Sequence, residues 1–73
     1  MKLPVISYLG VLKALKKAGF EISSQSGSHM ILVKYSAEKI TVVVPKHKEI
    51  AKGTLLSIIS QSGMSKEQFL ELL

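Results

Sequence analysis

The 73 residues of the chain are read as one small domain, 1–73, which buries only about three-fifths of its unfolded surface and so excludes a deep interior cavity for a large cofactor. The composition is 47% hydrophobic and 21% charged, that of a folded chain, and it has no cysteine, arginine or aspartate. This excludes disulfides, thiolate metal sites and thiol catalysis, and argues against a carboxylate-rich two-metal nuclease. Ten lysines against five glutamates leave a net charge of +5, which points to an anionic partner: nucleic acid, an acidic protein or a membrane surface.

In chain order, Met1-Lys2 and the apolar stretch from Leu3 to Leu12 imitate the start of a signal peptide. Pro4 interrupts that stretch, Lys13, Lys16 and Lys17 follow at once, and no small-residue cleavage site appears. No apolar run approaches the ~20 residues that span a bilayer, so no membrane association and a cytoplasmic location are expected. Ser7 is a candidate N-cap, and Tyr8, Val11, Leu12 and Leu15 recur at helical spacing with Lys13, Lys16 and Lys17 on the other side. Gly19 suits a left-handed stop, with Phe20 packing back on Leu15 as in a Schellman motif. Phe20 to Ser23 alternates as a half-buried strand does, and Ser24-Gln25-Ser26-Gly27-Ser28 reads as a polar loop.

His29 to Tyr35 reads as a second strand, Ser36 to Lys39 as a tight turn, and Ile40 to Val44 as a β-branched third strand that Pro45 ends. Helical period returns with Leu55, Ile58 and Ile59, stopped by Gly63. Ser65 and Gln68 match a capping box, and Met64 and Phe69 have the spacing of a hydrophobic staple ahead of a short last helix from Lys66 to about Leu72. The expected architecture is α+β, in the order α-β-β-β-α-α: a three-stranded antiparallel sheet with helices on one face.

Three segments then carry a resemblance: Leu15-Lys16-Lys17-Ala18-Gly19-Phe20, Gln25-Ser26-Gly27-Ser28-His29, and Pro45-Lys46-His47 leading into Gly53-Thr54-Leu55. In this order and spacing they resemble the HicA toxins, small mRNA-cleaving proteins paired with HicB antitoxins. The tail from Gly63 to Phe69 is similar to the family's ending. The chain departs from the family at Tyr8-Leu9, where a glycine and a charged residue are common, and in lacking arginine. The resemblance implies a fold like the double-stranded-RNA-binding domain, an mRNA substrate, a HicB-like antitoxin partner and a catalytic role for His29.

An imidazole, with an ordinary pKa near ~6.5, can take the proton from an RNA 2′-hydroxyl, whose oxygen then attacks the adjacent phosphate without metal or external water. Gly27 permits close backbone approach to a phosphate, and Ser28 can bond to it or orient the ring. The competing reading makes His29 an ordinary strand residue sharing the parity of Ile31, Val33 and Tyr35. His47, between Lys46 and Lys48, is either a general acid for the leaving oxygen or an exposed loop histidine. His29, His47 and Glu49 imitate a two-histidine, one-carboxylate metal triad, but so short a constellation arises readily by chance, and neither a metal nor any small-molecule cofactor is expected.

Lys46, Lys48 and Lys52 are the candidate phosphate contacts, whereas Lys13, Lys16 and Lys17 read as a solvated helix face. Lysine cannot make arginine's bidentate contact to guanine, and Tyr8 and Tyr35 are the only candidate stacking platforms, since Phe20 and Phe69 read as core. Substrate-binding candidates are therefore Gly27, Ser28, Lys46, His47 and Lys48, around a catalytic His29. A non-catalytic RNA-binding module and a protein-interaction domain are the alternatives.

Overall fold

The computed structural model describes residues 5–73; the signal-like start at Met1 to Pro4 lies outside the described residues. The elements are α1 (Tyr8–Lys17), β1 (Glu21–Gln25), β2 (His29–Tyr35), β3 (Lys39–Pro45), α2 (Lys52–Ser62) and α3 (Lys66–Glu71). The strands form one antiparallel sheet ordered β1-β2-β3. Met30 faces Val44 and Leu32 faces Val42 across β2 and β3, and these four side chains join buried residues of all three helices in one cluster. The intervening residues point to the other side. The helices thus cover a single face of the sheet, as the pattern predicts.

Helix α1 buries Val11, Leu12, Ala14 and Leu15 and leaves Lys13, Lys16 and Lys17 exposed. Lys16 and Lys17 fall in its last turn, where cations suit the partial negative charge of the helix end. Gly19 adopts φ +102°; its N–H donates to the Lys16 carbonyl and that of Phe20 to the Leu15 carbonyl, both at 3.0 Å. These two bonds are the Schellman pair, and they turn Phe20 into the core beside Leu15. The start of α1 departs from expectation. Ser7 holds the N-cap position but its hydroxyl makes no cap bond; the Tyr8 N–H donates instead to the His47 carbonyl at 3.1 Å. A backbone group from a distant loop thus satisfies the first N–H of the helix, whereas a serine cap would have served the second or third.

Strand β1 also departs. Every residue from Glu21 to Gln25 is exposed, and Ile22, although paired with Leu32, retains 39% of its surface. The half-buried alternation therefore does not occur. The cause is position: β1 is an edge strand, and α1 and α2 pack over β3 at the opposite side of the sheet. The free edge of β3 is partly masked, because the Val43 N–H donates to Gln61 Oε1 of α2 at 3.2 Å while Gln61 Nε2 donates to Ser57 Oγ. Such a mask reduces unwanted strand pairing.

The α2–α3 corner follows the expected chemistry. Gly63 closes α2 at φ +79°, and Ser65 and Gln68 form both bonds of a capping box, at 3.1 and 2.9 Å. At six residues, α3 is far too short to be stable alone; the box and the fully buried Phe69 hold it. Phe69→Ala is expected to cost about 3–5 kcal/mol, a large part of the stability of so small a domain. Thermal unfolding should show Tm lowered by roughly 15 °C or more, whereas Ser65→Ala, which removes one cap, should cost about 1 kcal/mol.

Candidate functional site

The turn between β1 and β2 is shorter and more ordered than a five-residue loop. The register shifts between Ile22 and Ser24, so Ser23 is the extra residue of a bulge. Beyond it Ser24 pairs with Ile31 and Gln25 with Met30. Ser24 and Gln25 therefore belong to the strand, and only Ser26, Gly27 and Ser28 remain as the connection. The Ser26 N–H closes this turn by donating to the His29 carbonyl at 2.9 Å. The Ser26 hydroxyl oxygen accepts from the backbone N–H of His29 at 3.2 Å and of Ser28 at 3.4 Å, the local side-chain bonding that makes serine a turn residue.

Lys46, the residue after β3, ties the turn down from outside. Its backbone N–H donates to the Ser28 carbonyl at 2.8 Å. Its ammonium donates to the Ser26 carbonyl at 2.7 Å and to Gln25 Oε1 at 3.3 Å. A lysine expected to meet phosphate thus directs two of its three N–H bonds into the turn itself. Gln25 and Ser26 were not among the expected site residues. The spacing of a serine two residues before Ser28 could have signalled the Ser26 turn, but nothing local signals the bond from Gln25 to Lys46, twenty-one residues away.

His29 opens β2, opposite Pro45, with its side chain exposed on the face away from the helices. Its Nδ1 lies 3.0 Å from Ser28 Oγ. The two neighbouring side chains therefore restrain each other, and the remaining ring nitrogen, Nε2, has no hydrogen-bond partner among the described residues. Gly27 has neither a positive φ nor any atom within 4 Å of the place a Cβ would occupy. Nothing inside the described chain requires a glycine there.

His47 is two residues beyond Pro45. Its carbonyl caps α1, its N–H donates to the Pro45 carbonyl at 2.9 Å, and its side chain is exposed without a hydrogen bond among the described residues. Lys48 is exposed, and Lys52 opens α2, whose first turn has no acidic residue; the positive end of the helix dipole there is not neutralised by its own side chains. Tyr8 packs against the core, while Tyr35 retains 72% of its surface. Phe20 and Phe69 are core. Among the described residues no three metal-ligating side chains gather, so His29, His47 and Glu49 do not form the triad their spacing suggested. No pocket forms among these residues either; the candidate site is an open surface.

A family model described as the HicA toxin of bacterial toxin–antitoxin systems matches residues 10–64, well over half of the chain. The chain belongs to the HicA toxin family. Its activity is accordingly that of the toxin half of a toxin–antitoxin pair, and an antitoxin is its implied partner. The HicA match contains the whole of the Gln25–His29 turn and the Lys46–Lys48 segment; it ends before Ser65, so the similarity of the Ser65–Phe69 tail lies beyond it. No curated protein matches the chain.

If Lys46 holds the turn, Lys46→Met should loosen it while preserving the fold. Hydrogen exchange at the Ser28 and His29 amides should accelerate by roughly tenfold, the equivalent of about 1.4 kcal/mol of local opening, with amides of β3 little changed. Unchanged exchange in the turn would mean that the ammonium contacts carry no constraint.

Proposed function

We propose that this HicA-family toxin is a cytoplasmic endoribonuclease, one domain over its whole length, which cuts mRNA by using the RNA's own 2′-hydroxyl as nucleophile. His29 is the general base. In the tautomer that carries its proton on Nδ1, that N–H donates to Ser28 Oγ and leaves the Nε2 lone pair free to accept the 2′-hydroxyl proton. The 2′-oxygen attacks the adjacent phosphorus, the bond to the 5′-oxygen breaks, and a 2′,3′-cyclic phosphate remains. The reaction needs neither metal nor cofactor, because the nucleophile is part of the substrate and the base is part of the chain. The observation that carries this reading is the restrained, fully presented imidazole at the edge of a backbone turn, 3.0 Å from Ser28 Oγ.

The neighbouring groups suit an RNA phosphate. Gly27, which the described chain leaves unencumbered, lets a phosphate approach the turn backbone. Lys48, Lys52 and the third N–H of Lys46 supply charge, and His47, two residues beyond the Pro45 that faces His29, is the group assigned to protonate the departing 5′-oxygen. An open surface with point-charge lysines and no bidentate arginine fits a substrate recognised through its backbone. The fitting inhibitor is a HicB-like acidic antitoxin that covers His29, Lys46 and Lys48, since a +5 surface that receives RNA also attracts an acidic protein. No described helix is long and apolar enough to cross a membrane.

His29→Ala should reduce RNA cleavage by about a hundredfold to ten-thousandfold with Tm little changed, measured with purified protein on a defined transcript. Ser28→Ala, which removes one orienting bond, should lower kcat only about fivefold. Excess chelator should leave the wild-type rate intact and the cyclic phosphate among the products. Full activity of the alanine protein, or loss in chelator restored by a divalent ion, would overturn the assignment.

Gly27 separates substrate approach from folding. Gly27→Ala fits its backbone conformation and empty surroundings, so stability should stay the same or rise by about 0.5 kcal/mol. KM for RNA should nevertheless increase severalfold, because the methyl group stands where the phosphate must come close. A KM at the wild-type value would remove Gly27 from the site.

A further inference from the structure

The open face of the sheet continues well past His29. Ile31, Val33 and Tyr35 follow it on the same side of β2, each at a two-residue step, and six residues of strand carry the row about 20 Å from the imidazole to the tyrosine. Tyr35 is 72% exposed, the largest aromatic surface among the described residues. The Lys39 ammonium lies 6.0 Å from its ring centroid, and Lys39 is its cross-strand partner.

The two flanks of this row differ in charge. On the β1 side Glu21 pairs with Val33; on the β3 side the partners of Tyr35, Val33, Ile31 and His29 are Lys39, Thr41, Val43 and Pro45, with Lys46 next in the chain. A polyanion lying across the sheet is repelled by the first flank and meets a lysine near each end of the second. Val43 retains 40% of its surface while Val33 keeps only 6%, so the floor between the two ends is closed over by its neighbours at Val33 and offers apolar surface at Val43.

We infer that Tyr35 and Lys39 form a second RNA subsite, in which an unpaired base stacks on the Tyr35 ring and Lys39 meets the adjoining phosphate, a few nucleotides from the bond presented to His29. The inference rests on the RNA reading above and names the form of RNA the toxin takes: a single strand laid along β2 and β3. A paired helix keeps its bases stacked inward and has none to offer the ring. Stacking on an aromatic side chain accepts every base because each has a π face, so the subsite contributes length dependence without sequence preference.

The test is binding of 2′-O-methyl RNA, which lacks the nucleophile and so reports affinity whether or not His29 is the base. With an oligonucleotide of about eight nucleotides, Tyr35→Ala should weaken Kd by roughly tenfold and Tyr35→Leu should weaken it similarly, while Tyr35→Phe retains wild-type affinity. A dinucleotide, too short to reach from His29 to the ring, should bind the wild type and all three variants alike. Lys39→Gln should weaken only the longer ligand and flatten its salt dependence. Equal affinity of Tyr35→Ala for the longer RNA, or a loss shared by the dinucleotide, would overturn the proposal. So would unchanged RNA binding with loss of antitoxin binding, which would assign this face to the protein partner. Failure of His29→Ala to lose cleavage would overturn the catalytic role and leave this measurement standing on its own.

Discussion

The alternation of β2 is the constraint on which the rest depends. Met30 and Leu32 go down into the core against Val44 and Val42, and this sends His29, Ile31, Val33 and Tyr35 to the face away from the helices. A strand has only these two sides. A slip of one residue would drive the histidine and the tyrosine into a packed interior and bring Met30 and Leu32 to the surface. Burial of the apolar set therefore fixes the side on which the imidazole emerges, and its place at the end of the strand leaves it exposed where Val33, in mid-strand on the same side, is buried. In the proposed mechanism, the Ser28 contact and the hydrogen-bonded turn orient this exposed imidazole.

The segment after β3 ties the parts together. Within a few residues it supplies the Lys46 N–H and ammonium to the turn, the His47 carbonyl to the first N–H of α1, and the Ile50 N–H to the Ile6 carbonyl at 2.8 Å. The start of α1, the end of β3 and the β1–β2 turn thus share one hydrogen-bonded junction. The residues chosen for their charge and imidazole chemistry contribute structurally through different atoms: the backbone of His47, and both backbone and ammonium of Lys46. A substitution at Lys46 consequently reports on turn geometry as well as on phosphate attraction, whereas Lys48, exposed and outside this network, reports on charge alone.

Where the cause of a structure lies within a few residues, the sequence reveals it. The Gly19 stop with Phe20 folded back, the Gly63 stop and the Ser65–Gln68 box are all local bonds between near neighbours, and each occurs as its residue pattern predicts. The limits of β2 were legible for the same reason, because a polar turn and a sharp one bracket an apolar alternating run. The burial of β1 was not. Phe20 is inward as expected, but Ile22, two residues on, looks equally inward and is not; whether an edge strand is covered depends on where distant helices come to rest, and here they rest over β3.

The site divides along the same line. Sequence by itself determined the charge, the lack of thiols, the helix and strand order, the family blocks and the candidacy of His29 beside Ser28. Tertiary structure alone decided that the polar loop shrinks to three residues, that Lys46 bonds back to Gln25 and Ser26, that His47 rather than Ser7 caps α1, and that Tyr35 shares an open face with His29. The physical reason is the range of the forces. Turn and cap preferences arise from backbone sterics and hydrogen bonds within one turn of chain, whereas the partners of Lys46 and His47 are chosen by how the sheet and helices pack, which no window of neighbouring residues contains.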